Sequence, residues 1–307
     1  MNHFADRLSA AIRARRTCAV VGIDPIYERL PAELRVERPT LTQAVAATET
    51  FGRAVIDAVA GVVPAVKINI AFFEALYDAG VAAYHRLVAH AHRAGLLVIG
   101  DIKRGDIGST AQLYARGHVE RPAFADVDPT GIPDAVTVSG YLGVGSVQPF
   151  IAAARAHGRG LFVLVRPSDP GADVVHEFGR DGRRFYEHLA ALVSEWGAAR
   201  ELIGECGLSC VGAVVAPKDS ESTAALRAQM PHTLFLVPGY GAQGADATGC
   251  RPCFLPDGSG AIVNASRSVI FAFDSPGLRQ RFGADWRACI ASAARAFAAD
   301  VARFGAG

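Results

Sequence analysis

Short runs of apolar, often β-branched residues alternate along the chain with longer segments that repeat apolar residues at helical spacing. The apolar runs are nearly continuous, which is typical of parallel strands covered on both faces. Eight of these runs are predicted strands: 18–24, 63–69, 96–101, 134–138, 161–165, 210–216, 233–238 and 261–266. No linker rich in Pro, Gly or Ser divides the chain. The alternation therefore predicts an α/β fold, a single (β/α)8 TIM barrel over residues 1–307.

Three connections are longer than such a barrel requires. They span 115–133, which is rich in Pro and Asp, 166–183 and 244–260. Long loops in a compact domain are usually functional or mobile. We expect at least one of them to act as a lid over the site.

Charged residues collect where the first three predicted strands end. Asp24 ends the first strand, Lys67 lies near the end of the second, and the third ends in Asp101 and Lys103, with Asp106 just beyond. These strand ends form the catalytic face of a barrel. An alternating row of lysines and carboxylates keeps every member charged, because each sign favours the ionised form of the other. We interpret the row as a functional site; a structural ion-pair cluster that closes the barrel is the alternative.

The opposite side of the predicted barrel carries a different chemistry. The seventh strand runs into PGYGAQG (238–244), whose backbone amides can approach an anion closely. The eighth runs into NASRS (264–268), where Arg267 offers a planar guanidinium to phosphate oxygens. Loops after these two strands are the usual phosphate site of a barrel, so we predict a phosphate-bearing ligand.

The segment GYGAQG also matches G-x-G-x-x-G, the dinucleotide-binding fingerprint, with Asp257 further along. That interpretation requires the motif to open a doubly wound domain, and only one strand-sized run follows it. The chain contains neither a G-x-x-x-x-G-K-[ST] phosphate loop nor a G-x-S-x-G nucleophile elbow. Their absence disfavours P-loop nucleotide hydrolysis and serine esterase chemistry.

The charge balance and the lack of long apolar runs limit the classes of binding partner and the location that we expect. Lys and Arg number 31 against 30 Asp and Glu, which leaves no electrostatic footprint for nucleic acid or an anionic membrane. Residues 1–16 lack the apolar core of a secretion signal, and no run approaches the roughly 20 apolar residues of a membrane span. Six scattered cysteines fit reduced thiols. We expect a cytoplasmic protein without nucleic-acid or membrane partners.

Metal ligands are a weaker signal. The cysteines of CRPC (250–253) and those within 206–210 could together supply four zinc ligands, but their spacing is not that of a standard finger. His90 and His92 lie two apart in a helical stretch, so they face different sides of the helix and are interpreted as surface residues. No metal site is therefore predicted.

Taken together, the sequence resembles the orotidine 5'-phosphate decarboxylase family, in its longer bacterial branch. The resemblance spans most of the chain. The segments that carry it are VGIDP (21–25), VKINIAFFEALYDAG (66–80), DIKRGDIGST (101–110), DAVTVSGYLG (134–143), VPGYGAQGAD (237–246) and IVNASRS (262–268). It implies the decarboxylation of orotidine 5'-phosphate to UMP in de novo pyrimidine biosynthesis, without a cofactor.

The resemblance also implies catalytic roles. Lys103 is expected to protonate the carbanion at carbon 6 of the pyrimidine, and the residues Lys67, Asp101 and Asp106 to form the charged network around it. In the family, the residues that match Asp106 and Thr110 reach into the neighbouring subunit's site. A homodimer with shared active sites is therefore expected.

Substrate-binding residues follow from the same match. Asp24 is expected to meet the ribose, while Gln243 and Arg267 are expected to hold the 5'-phosphate. Ser139 and Gly140 stand where the longer branch typically has Asn-Pro, and Ser139 is the candidate pyrimidine contact there.

Other functions stay open at this point. A Schiff-base aldolase needs a neutral lysine, and a lysine between two carboxylates is held charged, which disfavours that mechanism. A metal-dependent lyase acting on another sugar phosphate, with Asp101 beside Mg²⁺, remains an alternative. So does a barrel that binds a phosphorylated ligand without catalysis, although all four charged positions are filled.

Overall fold

The computed structural model describes residues 3–241, 247–302 and 304. The strands in this part of the chain are β1 (Ala19–Ile23), β2 (Ala65–Asn69), β3 (Leu97–Arg104), β4 (Ala135–Ser139), β5 (Gly160–Arg166), β6 (Gly179–Arg180), β7 (Arg183–Arg184), β8 (Val211–Val215), β9 (Phe235–Val237) and β10 (Ala261–Ala265). All except β6 and β7 pair in parallel into a closed barrel, in the order β1-β10-β9-β8-β5-β4-β3-β2. The predicted (β/α)8 barrel is confirmed, and β6 and β7 form a small antiparallel hairpin outside it.

Helices cover the outside of the barrel. In the described part of the chain they are α1 (Phe4–Arg15), α2 (Leu41–Val59), α3 (Ala71–Glu74), α4 (Tyr77–Arg93), α5 (Gly108–His118), α6 (Val144–His157), α7 (Asp173–His176), α8 (Phe185–Trp196), α9 (Ser220–Gln229), α10 (Ala247–Cys250), α11 (Arg267–Ile270), α12 (Pro276–Phe282) and α13 (Trp286–Ala302). Local sequence explains several ends: Thr40 and Gln43 form a capping box before α2, and Gly158 ends α6 in a left-handed conformation. None of the helices described here combines the length and the apolar character that a membrane crossing needs.

The barrel interior is filled by one buried apolar residue from each strand. These residues are Val20, Ala65, Ile99, Ala135, Phe162, Val214, Leu236 and Ile262. Helix α1 closes the amino-terminal end of the barrel, because Phe4 and Leu8 belong to the same buried cluster and the Phe4 ring meets Phe162 edge-on at 6.1 Å. With that end closed, a ligand has access from the carboxyl ends of the strands.

Each of the eight predicted barrel strands is present, with ends shifted by at most three residues. The third differs most, since β3 continues to Arg104 and its register with β4 shifts between Gly100 and Arg104. Of the three long connections, the first begins only after α5 ends, the second contains α7 and the β6–β7 hairpin, and the third lies partly outside the described residues. That one of them closes over the site stays a prediction.

Candidate active site

A cavity of about 290 Å³ opens at the carboxyl ends of the barrel strands. Every barrel strand, or the residue directly after it, contributes a lining side chain: Asp24, Lys67, Asp101, Thr137, Leu164, Val214, Leu236 and Asn264. The side chain of Lys103 also lines it, as do Pro167 and Ser168 of the connection after β5. The predicted gathering of charged strand ends in one place is therefore present.

A single carboxylate holds two lysines in this cavity. Lys67 Nζ lies 2.6 Å from Asp101 Oδ2, and Lys103 Nζ lies 2.6 Å from Asp101 Oδ1. The hydroxyl of Thr137 donates a third hydrogen bond to Asp101 Oδ1, at 2.8 Å. Lys67 and Asp101 are buried, whereas the side chain of Lys103 is 49% exposed. Lys103 is thus the member of the cluster that faces the open cavity.

The backbone at Lys103 is unusual. Its φ of 45° lies in the left-handed region, which non-glycine residues rarely adopt. The N–H of Lys103 donates to the hydroxyl of Thr137 at 3.0 Å, at the point where the β3–β4 register shifts. Strained backbone that is held by its surroundings occurs often at functional sites. Thr137 therefore positions both the backbone of Lys103 and the carboxylate of Asp101.

Burial and charge act in opposite directions on the ionisation of this cluster. Burial opposes the charged form of Asp101, but Lys67 and Lys103 outweigh it and hold the pKa of that carboxyl well below its usual range. Burial also opposes the charge of Lys67, yet Asp101 and Asp24 raise its pKa above the ordinary value. The two buried members of the cluster are consequently both charged at neutral pH.

Two buried oxygens in the same cavity lack donors. Asp24 Oδ1 lies 3.9 Å from Lys67 Nζ and, like Asn264 Oδ1, accepts no hydrogen bond from the described part of the chain. Asn264 Nδ2 donates to Ser266 Oγ at 3.3 Å. Gly22 makes room for this group, because a Cβ there would lie 1.9 Å from Ser266 Oγ. A buried acceptor without a donor is costly, so both oxygens are suited to donor groups of a ligand.

The structure describes part of the predicted phosphate site, which follows β9 and β10. Arg267 and Ser266 line the cavity after β10, and Gly239 and Tyr240 line it after β9. Gly239 has a φ of 88°, a conformation that favours glycine and bends the chain just beyond the strand. The hydroxyl of Tyr240 donates to Asp300. Gln243, the other predicted phosphate ligand, lies outside the described residues.

Three further predicted site residues do not line this cavity. The Asp106 carboxylate accepts a hydrogen bond from its neighbour, the N–H of Ile107, at 2.7 Å, and forms no ion pair or hydrogen bond with the Lys67–Asp101–Lys103 cluster of its own chain. Thr110 is exposed in the first turn of α5. Ser139 ends β4, where its hydroxyl accepts from the N–H of Tyr141 at 3.4 Å.

Sequence reasoning missed several lining residues. Thr137 is a polar residue within an apolar predicted strand, and this was the available signal for it. Asn264 and Ser266 lie in a motif that was noted for Arg267 alone. Ser168 lies in a long connection, and no local pattern marks the point at which that connection touches the cavity.

Three of the four cysteines considered as zinc ligands lie in the protein interior, and Cys206 is half-buried. Cys250 and Cys253 are buried, and burial raises the pKa of the Cys253 thiol to about 12. Cys210 is buried directly before β8, and burial raises the pKa of its thiol to about 11. Across the described residues, no group of three or more His, Cys, Asp or Glu side chains is arranged to hold a metal ion.

A closed barrel with an ion-pair cluster in a cavity at the carboxyl ends of its strands is the arrangement of a (β/α)8-barrel enzyme. The family model described as the orotidine 5'-phosphate decarboxylase / HUMPS family matches residues 45–276. The chain belongs to this family.

Curated relatives and solved structures agree with this assignment. Orotidine 5'-phosphate decarboxylase of Rhodopirellula baltica is 43% identical over 274 residues, which cover 89% of each chain, and that of Clostridium tetani is 37% identical over 224 residues, 73% of this chain and 74% of the relative. A Streptomyces avermitilis protein provisionally described as an orotidine 5'-phosphate decarboxylase superposes with a TM-score of 0.77 at 34% identity, covering 100% of this chain and 97% of that one. Leishmania donovani OMP decarboxylase superposes with a TM-score of 0.75 at 26% identity, covering 99% of both. The chain is accordingly an enzyme of the carboxy-lyase class.

Proposed function

We propose that this enzyme decarboxylates orotidine 5'-phosphate to UMP, a step of de novo pyrimidine biosynthesis, and that it does so without a cofactor. The observation that carries the proposal is the Lys67–Asp101–Lys103 cluster in the barrel cavity. Outside the structure, the proposal is supported by the name that curated relatives share, two of which are 43% and 37% identical to this chain.

The proposed reaction needs a stabilised carbanion and a proton. The bond between carbon 6 of the pyrimidine and its carboxylate breaks, CO₂ leaves, and the electron pair stays on carbon 6. Preorganised charge is the means by which a protein stabilises such an intermediate when no cofactor accepts the electrons. Lys103 is the proposed source of that charge, and its Nζ–H is transferred to carbon 6. Its half-exposed ammonium group in the cavity supports this role.

Asp101 is proposed to orient the lysines. Its two oxygens contact Lys67 and Lys103 separately, so one carboxylate sets the spacing of both ammonium groups. Because Asp101 is kept ionised, its carboxylate holds the side chain of Lys103 in place until the carbanion forms. Lys67 compensates the buried negative charge of Asp101 through the carboxylate oxygen that does not contact Lys103.

The rest of the cavity is proposed to bind the ribose phosphate. The free oxygen of Asp24 suits a ribose hydroxyl, and Arg267 suits the 5'-phosphate. For Gln243 the support comes from the sequence alone. Phosphate binding far from the reacting carbon can lower the barrier when its energy is realised in the transition state.

We further propose a homodimer with shared active sites. Asp106 and Thr110 lie outside the cavity of their own chain, as expected if they serve a second copy. The connections after β2, β3 and β4 carry exposed apolar side chains: Tyr77, Ile107, Tyr141, Leu142 and Val144. Exposed apolar groups on three adjacent connections are typical of an interaction surface.

Mixing two inactive variants tests this arrangement. Lys103→Ala and Asp106→Ala proteins are purified separately, shown to be inactive, then unfolded and refolded together. Shared sites predict recovery to about a quarter of wild-type activity, since half of the randomly formed dimers are mixed and each has one intact site. If Asp106 serves its own chain, every site keeps one lesion and no activity returns.

A cytoplasmic location is proposed on the state of the cysteines. The six cysteines lie among the described residues and none is in a disulfide, and four of them are buried in the hydrophobic core. Proteins of reducing compartments typically keep their cysteines in this form.

The reaction itself is tested by ultraviolet absorbance. Orotidine 5'-phosphate is incubated with the purified protein in EDTA, without added cofactor, and we expect the orotate band to fall as UMP forms. A folded protein that leaves the band unchanged, but converts a sugar phosphate when Mg²⁺ is supplied, would show that the metal-dependent lyase is correct and the present proposal wrong.

A further inference from the structure

A second cavity, of about 630 Å³, lies on the flank of the barrel and is separate from the candidate active site. Helices α4 and α5 and residues 121–132 form its walls. Helices of a barrel run back from the carboxyl ends of the strands, so Arg93 and Arg116, near the last turns of their helices, lie toward the amino-terminal end. The cavity is therefore remote from the Lys67–Asp101–Lys103 cluster.

Arginines dominate the charge of this cavity. Arg53 and Arg86 line it, but both pair with Glu49, at 2.7 and 2.6 Å. In a second set of lining arginines the side chains make no ion pair and no hydrogen bond with the described part of the chain: Arg93, Arg116 and Arg121.

Asp128 is the acidic residue among the described lining side chains. Its Oδ1 already accepts hydrogen bonds from the N–H and the hydroxyl of Thr130, at 2.9 and 2.7 Å. One carboxylate leaves the three guanidinium groups without full compensation. Guanidinium forks of this kind are suited to phosphate oxygens.

The remaining wall is apolar and open. Phe124, Leu113 and Val127 line the cavity with 69%, 65% and 44% of their surface exposed, above the buried side chains of Ala89 and Ile132. An exposed aromatic ring in an apolar concave surface can stack on a planar base. Inorganic phosphate alone would leave this wall uncovered, and a cavity of this volume falls within the usual size of small-molecule sites.

We propose that this flank cavity binds a phosphorylated nucleoside, with its phosphates on Arg93, Arg116 and Arg121 and its base against the apolar wall that includes Phe124. The proposal concerns a site outside the barrel mouth and does not depend on the decarboxylase activity. It assigns a task to three arginines whose side chains form no ion pair or hydrogen bond in the described part of the chain.

Isothermal titration with UTP, ATP and inorganic tripolyphosphate tests the proposal. We expect Arg116→Ala/Arg121→Ala to weaken nucleotide binding about 100-fold, because two charge-assisted contacts are lost, and Phe124→Ala to weaken it about tenfold. Arg13→Ala/Arg15→Ala, on the exposed end of α1, removes the same charge elsewhere and should leave the affinity unchanged.

Arg267→Ala separates this cavity from the barrel mouth, where a nucleotide could also bind. We expect a titration step that persists in Arg267→Ala and is weakened about 100-fold in Arg116→Ala/Arg121→Ala. Nucleotide binding that is lost only in Arg267→Ala would overturn the proposal. Tripolyphosphate binding as tightly as UTP, with no effect of Phe124→Ala, would overturn the assignment of a nucleoside.

Discussion

Asp101 at the carboxyl end of the barrel and Asp134 at the amino-terminal end are both buried carboxylates that contact two basic side chains. Asp134 Oδ1 lies 2.5 Å from Arg7 Nη1, and Asp134 Oδ2 lies 2.9 Å from His92 Nε2. For both carboxylates, burial opposes ionisation and the basic partners more than offset it. Each cluster thus joins one buried carboxylate to two basic side chains.

The two clusters differ in whether their polar groups remain available to bind a ligand. Around Asp134 the groups are tied to backbone: Asp134 Oδ2 accepts from the N–H of Val98 at 2.8 Å, Arg7 also donates to Gly158 O, and His92 Nδ1 contacts Thr130 O. Around Asp101, by contrast, one lysine is half exposed in an open cavity beside the free oxygen of Asp24. A buried ion pair therefore indicates function when it leaves reactive groups facing open space, and structure when it does not.

Replacement of Lys103 should have the largest effect. We expect Lys103→Ala to lower kcat by about 10⁴-fold, because the charge opposite the carbanion and its proton are lost together. UMP affinity should change by less than about tenfold, since the phosphate side is intact. Stopped assays and UMP titration of the same preparation measure both. Near-normal turnover would show that Lys103 is not the proton donor.

Replacement of Arg267 tests the other side of the same cavity. We expect Arg267→Ala to raise KM about 30-fold with a smaller fall in kcat, because a charge-assisted contact to phosphate is worth roughly 1.5–3 kcal/mol. Steady-state kinetics with orotidine 5'-phosphate separate the two parameters. A fall in kcat that exceeds the rise in KM would place Arg267 in the chemical step.

Replacement of Asp134 should lower the stability of the protein and leave its catalytic activity nearly unchanged. We expect Asp134→Asn to lower the free energy of unfolding by about 2 kcal/mol, because the charge of Arg7 and the ring nitrogen of His92 lose the carboxylate that they contact, at a site that is only partly solvated. The kcat of the folded fraction should stay within about twofold of wild type. Urea denaturation measures the loss of stability, and steady-state kinetics measure kcat. A large loss of kcat would mean that the Asp134 and Asp101 clusters are coupled.

The pH dependence of stability tests the role of the Asp134 charge and is the smallest of the expected effects. Burial opposes ionisation of Asp134, but His92 and Arg7 outweigh it and lower its pKa from 3.8 to about 2. A lowered carboxyl pKa stabilises the folded state above the unfolded value and is lost as the pH falls through the folded value. The advantage of wild type over Asp134→Asn, about 2 kcal/mol at pH 6, should thus shrink between pH 4 and pH 2. Urea curves across this range measure it, and a constant difference would contradict the assignment.

The barrel and the centre of its site could be predicted from local pattern. Near-continuous apolar runs specify parallel strands wherever they occur, and the positions of Lys67, Asp101 and Lys103 at strand ends follow from strand length and side-chain alternation. Both are properties of a few consecutive residues. The contact of Asp101 with both lysines was accordingly foreseeable before any tertiary structure was known.

Tertiary structure alone decided which distant side chains meet. His92 was interpreted as a surface residue, and that was incomplete, because closure of the barrel brings Asp134 and Thr130 against its ring. Closure of the barrel likewise places Asn264 in the lining of the cavity that holds the charged cluster, whereas Asp106 does not line it. Such contacts join residues tens to hundreds of positions apart, so they depend on strand order and register, which no local pattern encodes.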